Sequence, residues 1–293
     1  MGDSFDIETG DFRDLVEQAL EEDGFRDDAT CEYLGIGEGI LSGAVIAGSP
    51  GVVAGLDIAR IAFEIADSAV EFNAVVGDGD AVGDGDAVAK LRGPGLGILV
   101  AERVALNFLQ QLSGVATLTA AFVSAVKGTG VKILDTRKTT PLLRGLEKYA
   151  VRMGGGENHR YNLSDMLLVK ENHFRAIGGS GALVEMLKSK KPPLAIEVEV
   201  DSMSFLKDLL GSPINRIMLD NFSPEEVTQA VQHITDYRIK HSEFRPEIEV
   251  SGGVTLETIR DFALPGVDYI SIGALTHSAP ALDLSLEVGV NSS

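Results

Sequence analysis

The stretch AIEVEVD at residues 195–201 and the stretch RIMLDN at residues 216–221 decide the fold of this chain. Each is a short run of β-branched and other apolar residues that ends in polar groups. Four more runs of this kind follow the same pattern: Val131–Asp135, Met166–Lys170, Ile248–Ser251 and Tyr269–Gly273. Because successive positions are largely apolar, the runs predict strands that are buried on both faces, as in a parallel sheet.

Segments with helical periodicity separate several of these strands, at Gly181–Ser189, Pro224–Ile234 and Thr255–Phe262. Strands and helices that alternate at intervals of roughly 20–35 residues are typical of a parallel sheet with helical crossovers. Six such units favour a (β/α) barrel, complete or incomplete, over an open doubly wound sheet. No G-x-G-x-x-G motif follows the first strand, which argues against a dinucleotide-binding fold.

The N-terminal part of the chain predicts a mixture of helices and strands. Residues 11–22 place their apolar side chains on one helical face, and residues 57–69 repeat that rhythm. Glycine-punctuated apolar runs lie between them, at Ile40–Ala47 and Gly51–Leu56. The long apolar segment Arg103–Lys127 predicts a helix that leads into a second domain.

Two Gly-Asp-Gly-Asp repeats, at residues 77–80 and 83–86, resemble calcium-binding loops at first sight. Their spacing does not match an EF-hand loop, and no bidentate glutamate follows at the required place. They therefore predict two tight turns beside short strands. The single cysteine, Cys31, has no cysteine or histidine at metal-ligand spacing, so it is predicted to be a structural thiol.

The charge of the chain is strongly negative and unevenly distributed. The net charge of −19 argues against a nucleic acid partner, which requires a basic surface. Residues 1–88 hold 21 acidic and 3 basic residues, whereas residues 103–170 hold 10 basic and 4 acidic residues. A basic segment in so acidic a chain indicates a site for a small anionic substrate, although some of these cations are expected to cover helix faces.

The active site of a (β/α) barrel lies at the carboxyl ends of its strands. In chain order those ends carry cations, then carboxylates, then glycine-rich turns: residues 135–139, 170–173, 197–201, 220–221, 251–253 and 273–274. Arginine and lysine hold carboxylates and phosphates, carboxylates hold Mg²⁺ or ribose hydroxyls, and glycine turns expose N–H groups to phosphate. The glycine-rich loop at residues 152–160 adds a histidine and an arginine to this set.

Single residues of this set allow a second interpretation. Arg137 also fits a structural ion pair, and Glu197 also fits a packed position inside the barrel beside a cation. Side chains alternate along a strand, so we expect Glu197, Glu199 and Asp201 to share one face.

Several motifs resemble those of the quinolinate phosphoribosyltransferase family, the carboxylating nicotinate-nucleotide pyrophosphorylases. They are Ala101–Asn107, Asp135–Thr139, Gly154–Arg160, Lys170–His173, Glu197–Asp201, Leu219–Phe222, Ser251–Gly253 and Gly273–Ser278. The motifs occur in the order that the family has and extend over most of the chain. Val104 and Glu171 depart from the threonine and aspartate that the family often has there, and the acidic opening to about residue 35 matches weakly.

The resemblance implies a fold of two domains. An N-terminal α/β sandwich domain would occupy residues 1–112, with the C-terminal segment 276–293 packing back on it. An open (β/α) barrel of the type II phosphoribosyltransferase kind would occupy residues 113–275. The resemblance also implies a homodimer, or a higher homo-oligomer, in which Arg103 reaches into the site of the neighbouring subunit.

The resemblance further implies an activity and a role for each candidate residue. Quinolinate and phosphoribosyl pyrophosphate would give nicotinate mononucleotide, pyrophosphate and carbon dioxide. The carboxylates of quinolinate would be surrounded by Arg137, His159, Arg160 and Lys170. The catalytic residues Lys138, Glu199 and Asp220 would face the phosphoribosyl pyrophosphate, and Glu199 and Asp220 would hold its Mg²⁺. The 5′-phosphate would lie near Ser251, Gly252, Gly253, Gly273 and Ala274.

Two other functions remain open from the sequence. One is a paralogue of the family, associated with molybdenum-transport operons, that keeps the fold and uses another substrate. The other is a non-catalytic barrel that binds an anionic metabolite. The acidic N-terminus, with neither a secretory signal nor an unbroken apolar span, predicts a cytoplasmic protein without a membrane segment. The acidity itself predicts adaptation to a salt-rich cytoplasm.

Overall fold

A computed structural model describes residues 12–37, 39–190 and 193–290. Its strands are β1 (Ile40–Ala47), β2 (Gly51–Val52), β3 (Glu71–Ala74), β4 (Ala81–Val82), β5 (Ala87–Pro94), β6 (Lys132–Leu134), β7 (Leu167–Val169), β8 (Ile196–Val200), β9 (Arg216–Asp220), β10 (Glu247–Ser251), β11 (Tyr269–Ser271) and β12 (Leu284–Val290). Its helices are α1 (Arg13–Asp23), α2 (Ala29–Leu34), α3 (Leu56–Ala66), α4 (Gly95–Ala125), α5 (Arg144–Met153), α6 (Glu171–Ala176), α7 (Ser180–Ser189), α8 (Met203–Leu209), α9 (Pro224–Lys240), α10 (Ile259–Phe262) and α11 (Ala274–His277).

The N-terminal domain is built on a four-stranded antiparallel sheet with the order β12-β1-β5-β3. Along β5 the side chains of Ala89 and Leu91 are buried, while Lys90 and Arg92 are exposed. This alternation leaves one apolar face, which α3 and α4 cover with residues such as Phe63. The last strand, β12, pairs with β1 from Leu41↔Val290 to Ala47↔Leu284, so the C-terminal segment returns to the first domain.

Helix α4 joins the two domains. The C-terminal segment that packs against it accounts for the glycine in its middle. The helix is 31 residues long, begins eight residues before the predicted Arg103, and contains the predicted domain boundary between residues 112 and 113. A Cβ atom on Gly114 would lie 2.1 Å from the carbonyl oxygen of Pro280, so the returning C-terminal segment requires glycine there. By length and composition α4 could cross a membrane, but half of its apolar window is buried inside the protein.

The second domain is an open barrel of six parallel strands in the order β6-β11-β10-β9-β8-β7. The structure confirms all six predicted strands to within two residues at each end. The two outer strands, β6 and β7, do not pair with each other. The only contact of the β type that the described chain makes at this gap is a bridge between Leu134 and Glu157. We call the gap between β6 and β7, with the segment 157–160 that lies in it, the seam. The predicted fold class, a sandwich domain plus an open barrel, is confirmed.

Several local predictions can be compared with the structure. The Gly-Asp-Gly-Asp repeats are tight turns, in which the Gly77 and Gly83 N–H groups each donate to the aspartate three residues later, at 2.7 Å. Cys31 is buried and unpaired, and burial raises the pKa of its thiol. The first helix begins at Arg13; Asp11, where it was predicted to begin, lies outside the described residues.

The predicted helix Thr255–Phe262 is wrong over its first half. Residues 256–258 form a turn, and only Ile259–Phe262 is helical. The reason is local, because the Thr258 hydroxyl accepts from the Thr255 N–H at 3.0 Å and offers the backbone an alternative to the helix.

Candidate active site

A cavity of about 570 Å³ opens at the carboxyl ends of the barrel strands. Its walls come from both strands at the seam and from the four strands between them. The lining residues are Thr136, Arg137, Lys138, His159, Arg160, Leu168, Lys170, Glu199, Met218, Asp220, Asn221, Ser251, Gly252, Gly253 and Ser271. The structure thus brings together ten of the thirteen residues that the sequence nominated.

One side of the cavity carries cations with unused hydrogen-bond donors. Arg137 and Lys138 follow β6, Arg160 lies in the seam, and Lys170 follows β7. The Nε atoms of Arg137 and Arg160 are buried and have no hydrogen-bond partner among the described residues. A buried donor without an acceptor costs roughly 1–3 kcal/mol, so an acceptor supplied by water or by a ligand would stabilise these groups.

The other side of the cavity carries carboxylates from adjacent strands. Glu199 belongs to β8 and Asp220 ends β9. Burial, followed by the proximity of Glu199, raises the pKa of Asp220 above its ordinary value. Lys170 forms an ion pair with Glu199 across the cavity, and the Asn221 amide donates to Asp220 at 2.8 Å. A carboxylate whose pKa is raised by burial and by a neighbouring carboxylate favours the arrival of a cation.

The turn after β10 exposes backbone to the cavity. Gly252 and Gly253 have φ angles of +98° and +63°, which favour glycine. A Cβ atom on Gly252 would lie 2.2 Å from Oδ1 of Asn221, so this turn and the end of β9 pack closely. The position of Gly253 is open. Gly253 is exposed, so its backbone is accessible, as a phosphate site requires.

Three nominated residues do not line this cavity. Arg103 lies on α4 and is exposed to solvent. Gly273 and Ala274 lie at the start of α11, behind Lys138, whose Cδ atom is 3.1 Å from the Cβ position of Gly273. Gly273 is thus placed to support the lysine side chain.

The expectation that Glu197, Glu199 and Asp201 share one face is wrong for Asp201. Strand β8 ends at Val200, and Asp201 is exposed and outside the cavity. The chain turns away because the Ser202 hydroxyl accepts from the Phe205 N–H and begins α8. Glu197 is fully buried and lies deeper in the barrel, which confirms the second interpretation given for it above.

The barrel floor below the cavity is a buried polar cluster. Nε2 of His159 lies 3.0 Å from Glu197 and 3.5 Å from Glu249, and Arg216 donates to Glu249 at 3.1 Å. Burial raises the pKa of Glu197 and of Glu249 to about 7 and lowers that of His159. His159, Glu197 and Glu249 lie close enough to hold a metal ion, and Arg216, which pairs with Glu249 and Glu247, supplies positive charge beside them.

The sequence analysis gave no role to five residues of the cavity, although two of them lay within its strand-end ranges: Thr136, Leu168, Met218, Asn221 and Ser271. Leu168 and Met218, two residues before Lys170 and Asp220, supply apolar surface to the cavity. Period-two alternation could have found Met218, because it lies two residues before Asp220 on the same face of β9. Asn221 has a φ of +58°, a conformation that asparagine tolerates better than most residues.

Comparison with known proteins matches both domains to one family. Residues 28–113 match the N-terminal domain of quinolinate phosphoribosyl transferase, and residues 115–287 match its C-terminal domain. A nicotinate-nucleotide pyrophosphorylase [carboxylating] from Mycobacterium leprae is 38% identical over 97% of this chain and 99% of its own length. A probable enzyme of the same name from Bacillus subtilis is 39% identical over 87% of this chain and 86% of its own.

Solved structures agree with these matches. The structure of NadC from Streptococcus pyogenes has a TM-score of 0.86 and 39% identity, covering 95% of this chain and 96% of that one. A nicotinate-nucleotide pyrophosphorylase from Ehrlichia chaffeensis has a TM-score of 0.87 and 35% identity, covering 96% and 100%. Because both domains match in sequence and in three dimensions, the chain belongs to the quinolinate phosphoribosyltransferase family.

Proposed function

We propose that this protein transfers the phosphoribosyl group of phosphoribosyl pyrophosphate to quinolinate and releases pyrophosphate and carbon dioxide, giving nicotinate mononucleotide for NAD synthesis. The observation that carries the proposal is that a single cavity has a cationic side and an anionic side. Unpaired guanidinium donors lie on one side and two carboxylates of adjacent strands on the other. A dianionic aromatic acid and a sugar with a cation-bound pyrophosphate have the complementary charges.

Quinolinate would bind at the seam side of the cavity. Its two carboxylates would accept from Arg137, Arg160 and Lys170, and its ring would rest on Leu168 and Met218. His159 would contribute as a neutral group, because burial lowers its pKa and its Nε2 atom faces Glu197.

Phosphoribosyl pyrophosphate would bind toward β8–β10. Lys138 would hold its pyrophosphate, and the N–H groups after Ser251, at Gly252 and Gly253, would hold the 5′-phosphate. Glu199 and Asp220 fit a Mg²⁺ ion that travels with the pyrophosphate. Mg²⁺ commonly uses one or two carboxylates together with substrate phosphates, and Asp220 lies near Glu199 in a partly buried position that raises its pKa. When bound, Mg²⁺ would neutralise the departing pyrophosphate.

The residues of the chain can serve each step of the reaction. Arg137 and Arg160 would orient quinolinate so that its ring nitrogen attacks the anomeric carbon while the bond to pyrophosphate breaks. The carboxylates of Glu199 and Asp220 would stabilise the positive charge that develops on the ribose. The resulting pyridinium withdraws the electron pair of the bond to the adjacent carboxylate. Carbon dioxide then leaves, and a proton takes its place on the ring.

The test is release of carbon dioxide from carboxyl-labelled quinolinate, with parallel detection of pyrophosphate. We expect both products in equal amounts, and only when phosphoribosyl pyrophosphate and Mg²⁺ are present. Asp220→Asn should abolish the release, whereas Asp201→Asn, an exposed carboxylate beyond β8, should leave it unchanged. Pyrophosphate without carbon dioxide would favour the paralogue with another substrate, and binding without either product would favour a non-catalytic barrel.

We also propose an assembly and a cellular setting. A homodimer or larger homo-oligomer would place the exposed Arg103 of one subunit at the site of the next. Arg103 suits this role because the two substrates carry many negative charges, and its guanidinium group would add a positive charge to the cavity that binds them. The protein would work in a cytoplasm of high salt, consistent with its net charge of −19.

A further inference from the structure

Helix α5 places three cations one turn apart, at Arg144, Lys148 and Arg152. None of the three lines the cavity, although all belong to the basic segment of the sequence. Arg144 donates to the Thr139 hydroxyl at 3.0 Å and to the Tyr161 carbonyl at 3.1 Å. Arg152 donates to the Asn158 side chain at 3.0 Å. The stripe therefore holds the two loops that carry the cavity's own cations.

Lys148 is the centre of this stripe and forms a buried ion pair with Asp135. Its side chain is 2% exposed and that of Asp135 is 0% exposed, with 2.5 Å between Nζ and Oδ1. The two side chains of this pair hydrogen-bond to the backbone N–H and to the backbone carbonyl of His159. Asp135 accepts from the His159 N–H at 2.8 Å, and Lys148 donates to the His159 carbonyl at 2.9 Å.

Asn158 completes this arrangement. Its amide donates to the second oxygen of Asp135 at 2.6 Å and to the Lys148 carbonyl at 2.9 Å. We call Asp135, Lys148 and Asn158 the seam clamp. Among the described residues, β6 and the seam segment are joined by two backbone hydrogen bonds of strand type. The Glu157 N–H donates to the Ile133 carbonyl, and the Asp135 N–H donates to the Glu157 carbonyl. Beyond Glu157 the clamp takes the place of strand pairing.

The position of the clamp connects it to substrate binding. Arg160 directly follows His159, and its N–H donates to Nδ1 of His159 at 2.8 Å. On the other side of the clamp, Asp135 lies two residues before Arg137. The clamp therefore fixes the separation of the two arginines whose Nε atoms are unpaired in the cavity.

We propose that Asp135, Lys148 and Asn158 are positioning residues that set Arg160 against Arg137 for recognition of the acceptor's two carboxylates. The role deepens the function proposed above and rests on it. None of the three lines the cavity, so they act through the backbone of His159 and Arg160. A buried ion pair contributes little net stability compared with a neutral pair of the same shape, and its fixed geometry is what a neutral pair would lack.

The main test is the double variant Asp135→Asn/Lys148→Met, which removes both charges and leaves neither one buried alone. We expect KM for quinolinate to rise at least about tenfold, since small displacements of binding groups cost that much or more. KM for phosphoribosyl pyrophosphate should change less than about threefold. In the protein without substrates, the amides of His159 and Arg160 should exchange hydrogen at least about tenfold faster than in the wild type.

Tyr149→Phe is the matched control. Tyr149 is the next residue of α5, and its hydroxyl donates to Asp78 of the N-terminal domain at 2.7 Å, away from the seam. This variant should leave both KM values and the two exchange rates unchanged. If the double variant does not fold, Asn158→Ala keeps the ion pair, removes the amide bridge and the acceptor of Arg152, and should give smaller shifts in the same direction.

Two outcomes would overturn the proposal. In one, a folded double variant keeps the wild-type KM for quinolinate; in the other, the two KM values rise together. Absence of quinolinate turnover in the wild type would instead contradict the proposed function. The exchange rates of His159 and Arg160 would then still decide whether the clamp holds the seam.

Discussion

Arg137 lines the cavity and has a buried Nε atom without an acceptor, whereas Lys148, eleven residues later, donates inside the protein to Asp135 and to the His159 carbonyl. At the residue scale, this difference separates cations that bind a ligand from cations that hold the fold. Both kinds occur in the basic segment 103–170, and their residue types do not distinguish them. The distinction depends on whether the protein itself supplies an acceptor.

The unpaired arginine donors predict discrimination between two related acids. Nicotinate lacks the carboxylate next to the ring nitrogen, so it would leave part of the cationic group without a partner. Unpaired buried charged groups cost several kcal/mol, and we expect nicotinate to be used roughly a thousandfold less efficiently than quinolinate. Steady-state kcat/KM for the two acids, measured side by side, tests this. Comparable use of both would contradict the assignment of quinolinate.

Arg137→Lys tests the same group by geometry instead of charge. Lysine keeps the positive charge but loses the planar fork, so we expect KM for quinolinate to rise by about tenfold or more. Arg175→Lys is the control, because Arg175 is an exposed partner of Glu171 on α6 and does not line the cavity. Equal effects of the two substitutions would show that the fork of Arg137 does not bind the acceptor.

The barrel floor predicts a dependence of stability on pH. Burial and the charge of Glu197 raise the pKa of Glu249 from 4.5 to about 7, so the folded protein binds a proton that the unfolded chain releases. The resulting stability is complete below about pH 4.5 and is lost as the pH rises through about 7. Glu249→Gln cannot ionise. Between pH 5 and 8 its free energy of unfolding should fall by roughly 1–3 kcal/mol less than that of the wild type.

Denaturant unfolding at several pH values measures this difference. The lowered pKa of His159 acts in the opposite direction, since its neutral form costs stability below about pH 6.5. That contribution occurs in both proteins but is larger in the variant, because the charge of Glu249 raises the pKa of His159 in the wild type. Parallel curves for the wild type and the variant would show that Glu249 is ionised in the folded protein throughout this range.

At the scale of elements, α4 and the returning C-terminal segment approach each other closely at Gly114. Gly114 lies where the backbone of Pro280 crosses the helix. The atoms that a side chain at this position would meet belong to the backbone, which cannot move aside as a side chain would. We expect Gly114→Ala to lower the free energy of unfolding by about 2 kcal/mol or more, although alanine favours a helix. Thermal unfolding measures the change.

Gly181 supplies the matched control for Gly114. It also lies in a helix, α7, but nothing lies within 4 Å of its Cβ position. Gly181→Ala should therefore be neutral or stabilise the protein by up to about 1 kcal/mol. A stabilising effect at both positions would mean that the C-terminal segment does not pass as closely over α4 as described.

At the scale of the whole molecule, the proposed shared site predicts complementation between inactive chains. Arg103→Ala should disable the site of the neighbouring subunit, and Lys138→Ala should disable the site of its own subunit. Mixed dimers contain one intact site, so mixing should restore up to about a quarter of wild-type activity. Activity is measured after subunit exchange has been verified with labelled chains. No recovery would contradict a site shared between subunits.

The distribution of charge predicts a second property of the whole molecule. Residues 1–88 contain 21 acidic residues, and the three basic residues there, Arg13, Arg26 and Arg60, already form ion pairs. The remaining carboxylates repel one another over a distance that falls from about 10 Å at 0.1 M salt to about 3 Å at 1 M. The melting temperature should therefore rise markedly between low salt and molar KCl. A flat or falling melting temperature would contradict adaptation to high salt.

The sequence alone predicted the barrel. Each of its strands is a short apolar run that ends in polar residues, and helical segments separate several of these runs. It also determined most of the chemistry, since Lys138, Lys170, Glu199 and Asp220 follow or end strands whose carboxyl ends must meet. Family resemblance then supplied the substrates. The strands and the residues at their ends can be predicted from the sequence because they depend on residues that are close together along the chain.

Only the tertiary structure decided which polar residues face a ligand. Glu197 and Glu199 lie two residues apart on one strand, yet Glu197 is fully buried at the floor and Glu199 lines the cavity. The floor is closed by Arg216, Glu249 and His159, which come from three separate parts of the chain. The clamp that joins Asp135 to Lys148 and Asn158 is equally non-local. A side chain's environment is set by what packs against it, and those partners are fixed by the fold and not by spacing along the sequence.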